Sequence, residues 1–410
     1  MKSLDVAALV LSLAAIFSYI NFRFIRLPTT IGIMMIAMLM SLSLVIVSLF
    51  GFKGIHDKAM LVLGGIDFNE TLMHGMLSLL LFAGALHVNL EDLASHKWII
   101  SILATFGVVM STFIVSGIAW IVFRYVDIKL SFVYCLLFGS LIAPTDPVAV
   151  IGILKKAGVP KSLETKITGE CLFNDGIAVV VFLVITGIVT GGHEVEAKHI
   201  VLLFFEEAVG GAFFGLCIGW AAYWMLKRVD NYQVEVLLSL ALVMGGYALA
   251  NTIHVSGPIA IVVAGLLIGN KGRFLAMSDV TREHLDSFWE LIDEILNAVL
   301  FLLIGLEVLV LTIKGSYCFA GIIMIPVVLI ARFMSVGLPV TFMRLFRDFS
   351  PNTVKIMTWG GLRGGISVAL ALSIPAGPAR ETLLTVTYII VVFSILVQGL
   401  TIQRLVNSKC

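Results

Sequence analysis

Residues 140–152 read SLIAPTDPVAVIG, and residues 168–182 read TGECLFNDGIAVVVF. Each sets an acid, Asp146 or Asp175, inside an otherwise apolar stretch. A third acid, Glu170, lies just before Asp175. A charge at bilayer depth costs roughly 3 kcal/mol or more, so it normally faces a protein cavity and handles ions or protons. Asp146 is also flanked by Pro144 and Pro147. Proline lacks an N–H donor and clashes with the preceding turn, so the helix breaks where the charge sits. The combination points to an ion-binding site inside a membrane.

The rest of the chain supports that setting. Of its 410 residues, 60% are hydrophobic and 13% charged, against about 25% charged in soluble domains. Apolar runs of about 18 residues or more recur throughout, which predicts an all-α polytopic membrane protein of about thirteen spans. The first run reads as a membrane helix rather than a signal peptide. It carries Asp5 and lacks a small-residue cleavage site. Lys and Arg favour the loops after odd-numbered spans by roughly two to one, which predicts a cytoplasmic C-terminus and an outside N-terminus. The expected location is therefore a cell (inner) membrane. A net charge of +1 argues against a nucleic-acid partner. The five cysteines are dispersed and no HExxH occurs, so no disulfide, resident metal or cofactor is expected.

Two spans look internally broken. One, at about residues 131–153, is interrupted around Asp146. The other, at about residues 354–376, contains WGGLRGGISVALALSIP (359–375), with four glycines around Arg363. They are seven spans apart, which predicts inverted repeats with two crossing discontinuous helices. Paired breaks of that kind point to a transporter's substrate site. Before the tenth span, residues 276–292 read as a separate cytoplasmic amphipathic helix, with Leu285, Phe288, Trp289 and Ile292 at helical spacing.

At the first break, unwound carbonyls and the Asp146 carboxylate are hard oxygen ligands suited to a small cation. The same carboxylate could instead cap the second half-helix. Asp175 lies deep in the sixth span, where a carboxyl can hold a proton or a cation but scarcely both. Asn174 could ligate or merely position. Arg332 in LIARFMSV needs a buried partner, and Glu170 is the preferred one. Arg363 could offset the negative end of a half-helix in its own span, or pair with an acid. Glu206, Glu207, Glu235 and Glu307 read as interfacial, reaching water from span ends. The methionine-rich IGIMMIAMLM (31–40) reads as a lipid-facing or dimer-packing surface.

The segments APTDPVAV (143–150), GECLFNDG (169–176), FLLIGLEV (301–308), LIARFMSV (329–336) and WGGLRGGIS (359–367) occur in that order along the chain. Together they resemble the monovalent cation/proton antiporter family, which includes NhaP-type bacterial sodium/proton antiporters and animal sodium/proton exchangers. The resemblance implies a homodimer. Residues of about 96–192 and 315–405 would form an ion-binding core that moves against a dimerisation part of about 1–95 and 230–313. It also implies ion-binding roles for Asp146 and Asp175, a backbone contribution from Thr145, and a structural Glu170–Arg332 pair. Asn174 in place of a second aspartate resembles the electroneutral branch. Two positions depart from relatives: Cys171 stands where many have serine, and Ala83 where several archaeal relatives have an acid.

The leading expectation is exchange of Na⁺ or Li⁺ for H⁺ by alternating access. K⁺/H⁺ exchange and sodium-coupled solute symport are the alternatives. An intramembrane aspartyl protease would also need two membrane aspartates, but its GxGD signature is absent.

Overall fold

The computed structural model describes residues 3–50, 68–146, 159–191, 197–272, 277–312, 314–346, 349 and 352–407. Among them the regular structure is helical. The main helices are α1 (Ser3–Ile20), α2 (Thr29–Leu49), α3 (Thr71–Leu86), α4 (Lys97–Tyr125), α5 (Phe132–Ile142), α6 (Lys161–Gly191) and α7 (Ala197–Leu226). They continue with α8 (Tyr232–Thr252), α9 (Gly257–Gly272), α10 (Asp279–Leu306), α11 (Gly315–Met343), α12 (Thr353–Trp359), α13 (Gly365–Ser373) and α14 (Pro378–Val406). Eight helices among the described residues are long and apolar enough to cross a membrane. Three shorter apolar helices are α3, α5 and α9.

The helices pack mainly in two groups. In one, α4 lies along α5 and α11, α6 packs on α5, and α14 packs on α11 and α13. In the other, α2 lies along α10, α3 along α9, and α7 and α8 along α9. Close approach of α2 and α10 depends on Gly305. A Cβ there would press into the Met34 carbonyl and Ala37, and Ser41 Oγ donates to the Gly305 carbonyl at 3.1 Å.

That contact changes the reading of the methionine-rich run. Ile31, Ile33, Met34 and Ala37 have no exposed surface, because this face of α2 is covered by α10 of the same chain. Only the far side, including Leu39, is exposed.

The amphipathic segment also differs from expectation. It does not end at residue 292; residues 279–306 form one uninterrupted helix, α10. No proline or glycine lies between its charged first half and the apolar second half, so nothing stops the helix there. Its apolar face is internal rather than superficial. Trp289 is fully buried, tilts against Phe82 of α3, and donates from Nε1 to Ser239 Oγ of α8 at 3.0 Å.

Two of the four glutamates assigned to the interface are buried as well. Glu235 is fully covered where the start of α8 packs on α10. Glu307 is 8% exposed at the end of α10, facing Arg380. Glu206 is exposed and Glu207 half-buried. Position near a helix end does not reveal whether that end meets solvent or another helix.

Candidate functional site

Helix α5 keeps helical torsions as far as Ala143, and the chain leaves the helix at Pro144. Pro147, named as the second breaker, lies outside the described residues. Across from this break, α12 stops at Trp359, residues 360–364 are irregular, and α13 starts at Gly365. The two interruptions bond directly to each other. The Asp146 backbone N–H donates to the Leu362 carbonyl at 2.8 Å. Arg363 Nη1 donates to the carbonyls of Ala143 and Pro144 at 2.5 and 2.9 Å.

Arg363 therefore satisfies the carboxyl end of α5, not a half-helix of its own span. Helix ends leave their last carbonyls without partners, and a buried cation there answers both the hydrogen-bond deficit and the negative end of the dipole. Glycine is required at 364 for a different reason. The Asp146 carboxylate lies so close that a Cβ at this position would overlap it. The carboxylate thus rests at the amino end of α13, where the dipole favours negative charge.

The α12–α13 break is braced from behind by α14. Ser394 Oγ accepts from the Arg363 backbone N–H at 2.9 Å and donates to Gln398 Oε1 at 2.7 Å. Gln398 Nε2 donates to the Trp359 carbonyl at 2.9 Å. Sequence reading missed both residues. Their signal was a serine and a glutamine four apart on one face of an apolar helix.

Helix α6 supplies the remaining residues. Asn174 Nδ2 donates to Thr145 Oγ1 at 2.7 Å, and its Oδ1 accepts the Thr145 backbone N–H at 3.5 Å. Cys171 Sγ lies 3.2 Å from the same Thr145 hydroxyl. The Thr145 side chain is thereby held by α6, and Asn174 clamps the α5 break. Glu170 and Arg332 form a buried two-pronged ion pair at 2.5 and 2.8 Å. The pair ties α6 to α11.

Asp146 and Asp175 line one cavity of about 240 Å³, walled by α3, α6, α10 and α13. Asp175 is 5% exposed, and its Oδ1 is buried without a hydrogen-bond partner among the described residues. Leu77, Leu81, Leu172 and Leu300 make much of the wall apolar. Asp293 and Asn297 of α10, which sequence reading also passed over, lie on the same cavity.

The end of α5 bonded to the α12–α13 break, with two carboxylates on a cavity beside them, fits a membrane ion carrier. The whole-chain comparisons agree. The family model "Sodium/hydrogen exchanger, transmembrane" matches residues 10–408, and the chain belongs to that family. It is 51% identical to the Na⁺/H⁺ antiporter NhaP of Pseudomonas aeruginosa, over 98% of this chain and 96% of that protein. It is 35% identical to the Na⁺/H⁺ antiporter NhaH of Halobacillus dabanensis, over 83% of each chain. The solved structure of the sodium proton antiporter MjNhaP1 from Methanocaldococcus jannaschii superposes with a TM-score of 0.76. The match covers 99% of both chains at 18% identity.

Proposed function

We propose that the protein is a secondary antiporter exchanging Na⁺ for H⁺, with Asp146 and Asp175 as the site that cation and proton share. The observation that carries this reading is the buried Asp175 oxygen without a partner, on a cavity it shares with a second carboxylate. A buried polar atom normally finds a hydrogen bond. One left open beside a second acid is suited to a ligand that comes and goes. The names of the relatives support sodium and protons as that ligand pair.

Thr145 contributes backbone oxygen, since its side chain is taken by Asn174 and Cys171. Asn174 positions and does not titrate. One carboxylate proton then leaves as one cation enters, and exchange is electroneutral. The α4–α6 and α11–α14 group, cross-tied by Glu170–Arg332 and Arg363, carries the site past the remaining helices. The protein works as a homodimer in the cell (inner) membrane, with the C-terminus in the cytoplasm.

Proteoliposomes with an imposed pH gradient and a trapped pH dye test the substrate assignment. Addition of NaCl or LiCl should collapse the gradient, with KCl and choline chloride much weaker. Equal or stronger responses to KCl would make this a potassium carrier. No response to any alkali cation would remove the antiport reading.

A further inference from the structure

Asp293 and Asn297 sit one turn apart on α10 and face two spaces at once. On one side is the 240 Å³ cavity of Asp146 and Asp175. On the other is an open recess of about 860 Å³, bounded by α1, the Arg26–Thr30 turn, α10 and Gln403. The same two residues line both. A route between recess and deep cavity therefore passes these side chains.

Their chemistry suits a cation. The Asp293 carboxylate is hydrogen-bonded by the Asn297 side chain, and its charge is felt by Asp146. That leaves Asn297 Oδ1: the residue is 3% exposed, and this buried oxygen has no hydrogen-bond partner among the described residues. A carboxylate and an amide oxygen are hard donors of the kind small cations take. The ionisable groups around Asp293 are Asp146, His87 from the end of α3, and its neighbour Glu294, with Arg26 on the far wall of the recess. Across the two spaces the acids Asp146, Asp175, Asp293 and Glu294 outnumber the one arginine, Arg26, so the local field draws cations inward.

We propose that Asp293 and Asn297 form an acquisition site, which binds the incoming monovalent cation from the recess and hands it to Asp146 and Asp175. The assignment rests on those two acids being the transport site. Asp293 binds the cation on its way in and takes no part in the proton exchange itself.

The test is the sodium dependence of exchange in proteoliposomes, measured side by side for wild type, Asp293→Asn, Asp293→Glu, Asn297→Ala and Asp175→Asn. For Asp293→Asn the apparent KM for Na⁺ should rise on the order of tenfold, with the maximal rate within about twofold. Asp293→Glu should return KM most of the way to wild type. Raising inert choline chloride to about 0.5 M should narrow the gap in part, by screening the Asp293 charge on its open, recess-facing side. Asn297→Ala should also raise KM, and it serves if Asp293→Asn does not fold.

A KM unchanged in both α10 variants overturns the acquisition site. So does a shifted pH profile with KM unchanged, which would make Asp293 a proton relay. Either result, with Asp175→Asn still inactive, leaves the transport site standing. Activity in Asp175→Asn would instead remove the foundation on which the proposal rests.

Discussion

At Asp175 a carboxylate oxygen is buried in a largely apolar cavity without a hydrogen-bond partner among the described residues. Glu170, five residues earlier on the same helix, has both oxygens bound by Arg332. The difference in environment separates a carboxylate with an open oxygen from one that is locked. Breaking a buried pair costs about 3–5 kcal/mol, because the survivor is left as an uncompensated charge. Glu170→Gln and Arg332→Gln should each sharply lower thermal stability in detergent, while the double variant should be less damaged than their sum. Additive losses would mean that the pair is not coupled. The competition proposed at Asp175 has its own consequence. As pH falls, the apparent KM for Na⁺ should climb by up to about tenfold per unit with the maximal rate preserved, and initial-rate kinetics across pH would show it.

Asp146 and Asp175 were legible in the sequence because an acid in an apolar run has few innocent explanations. Glu170 and Arg332 were legible as a pair because each, buried, required an opposite charge. Ser394, Gln398 and Asn297 were not. A neutral polar side chain in a membrane helix can bond to its own backbone, so its presence says little about what it faces. Glu235 and Glu307 were misread for a related reason: only packing shows that the ends of α8 and α10 are covered.

Among the elements, the crossing of the two breaks is the part most sensitive to substitution. Arg363→Ala would strip the Ala143 and Pro144 carbonyls of their donor, at about 1–3 kcal/mol for each buried group left unsatisfied. Exchange should fall at least tenfold even where the protein is still recovered folded. Gly364→Ala is a finer probe. Its methyl would displace the Asp146 carboxylate without removing any charge. Proteoliposome rates should drop strongly while thermal stability changes by only a few degrees. Wild-type rates in Gly364→Ala would show that the Asp146 carboxylate does not need its present position. The end of α5 at Pro144 and the break between α12 and α13 were readable from proline and glycine. That they bond to each other, and that Arg363 serves α5 across the crossing, required the tertiary structure. The continuity of α10 could have been read from the lack of any breaker near residue 292. Its change from charged to apolar composition hid that.

For the whole molecule, the packing into two helix groups with a cavity lined by both suits the alternating-access movement proposed above. One sodium for one proton moves no net charge. A single uncompensated charge would be worth about 2.3 kcal/mol per 100 mV, enough to shift the equilibrium ratio of the ion gradients roughly fiftyfold. Imposing a potassium–valinomycin potential of about 100 mV should therefore leave the final pH gradient unchanged. A potential-dependent endpoint would require unequal stoichiometry and a second titrating group.

We propose above that the Asp175 carboxylate takes cation and proton in turn. The most direct test is sodium-induced dequenching in proteoliposomes holding Asp175→Asn, with monodisperse elution as the check on folding. The expected trace is that of empty liposomes from a protein that elutes as wild type does. Exchange near the wild-type rate in the same folded variant would contradict the claim.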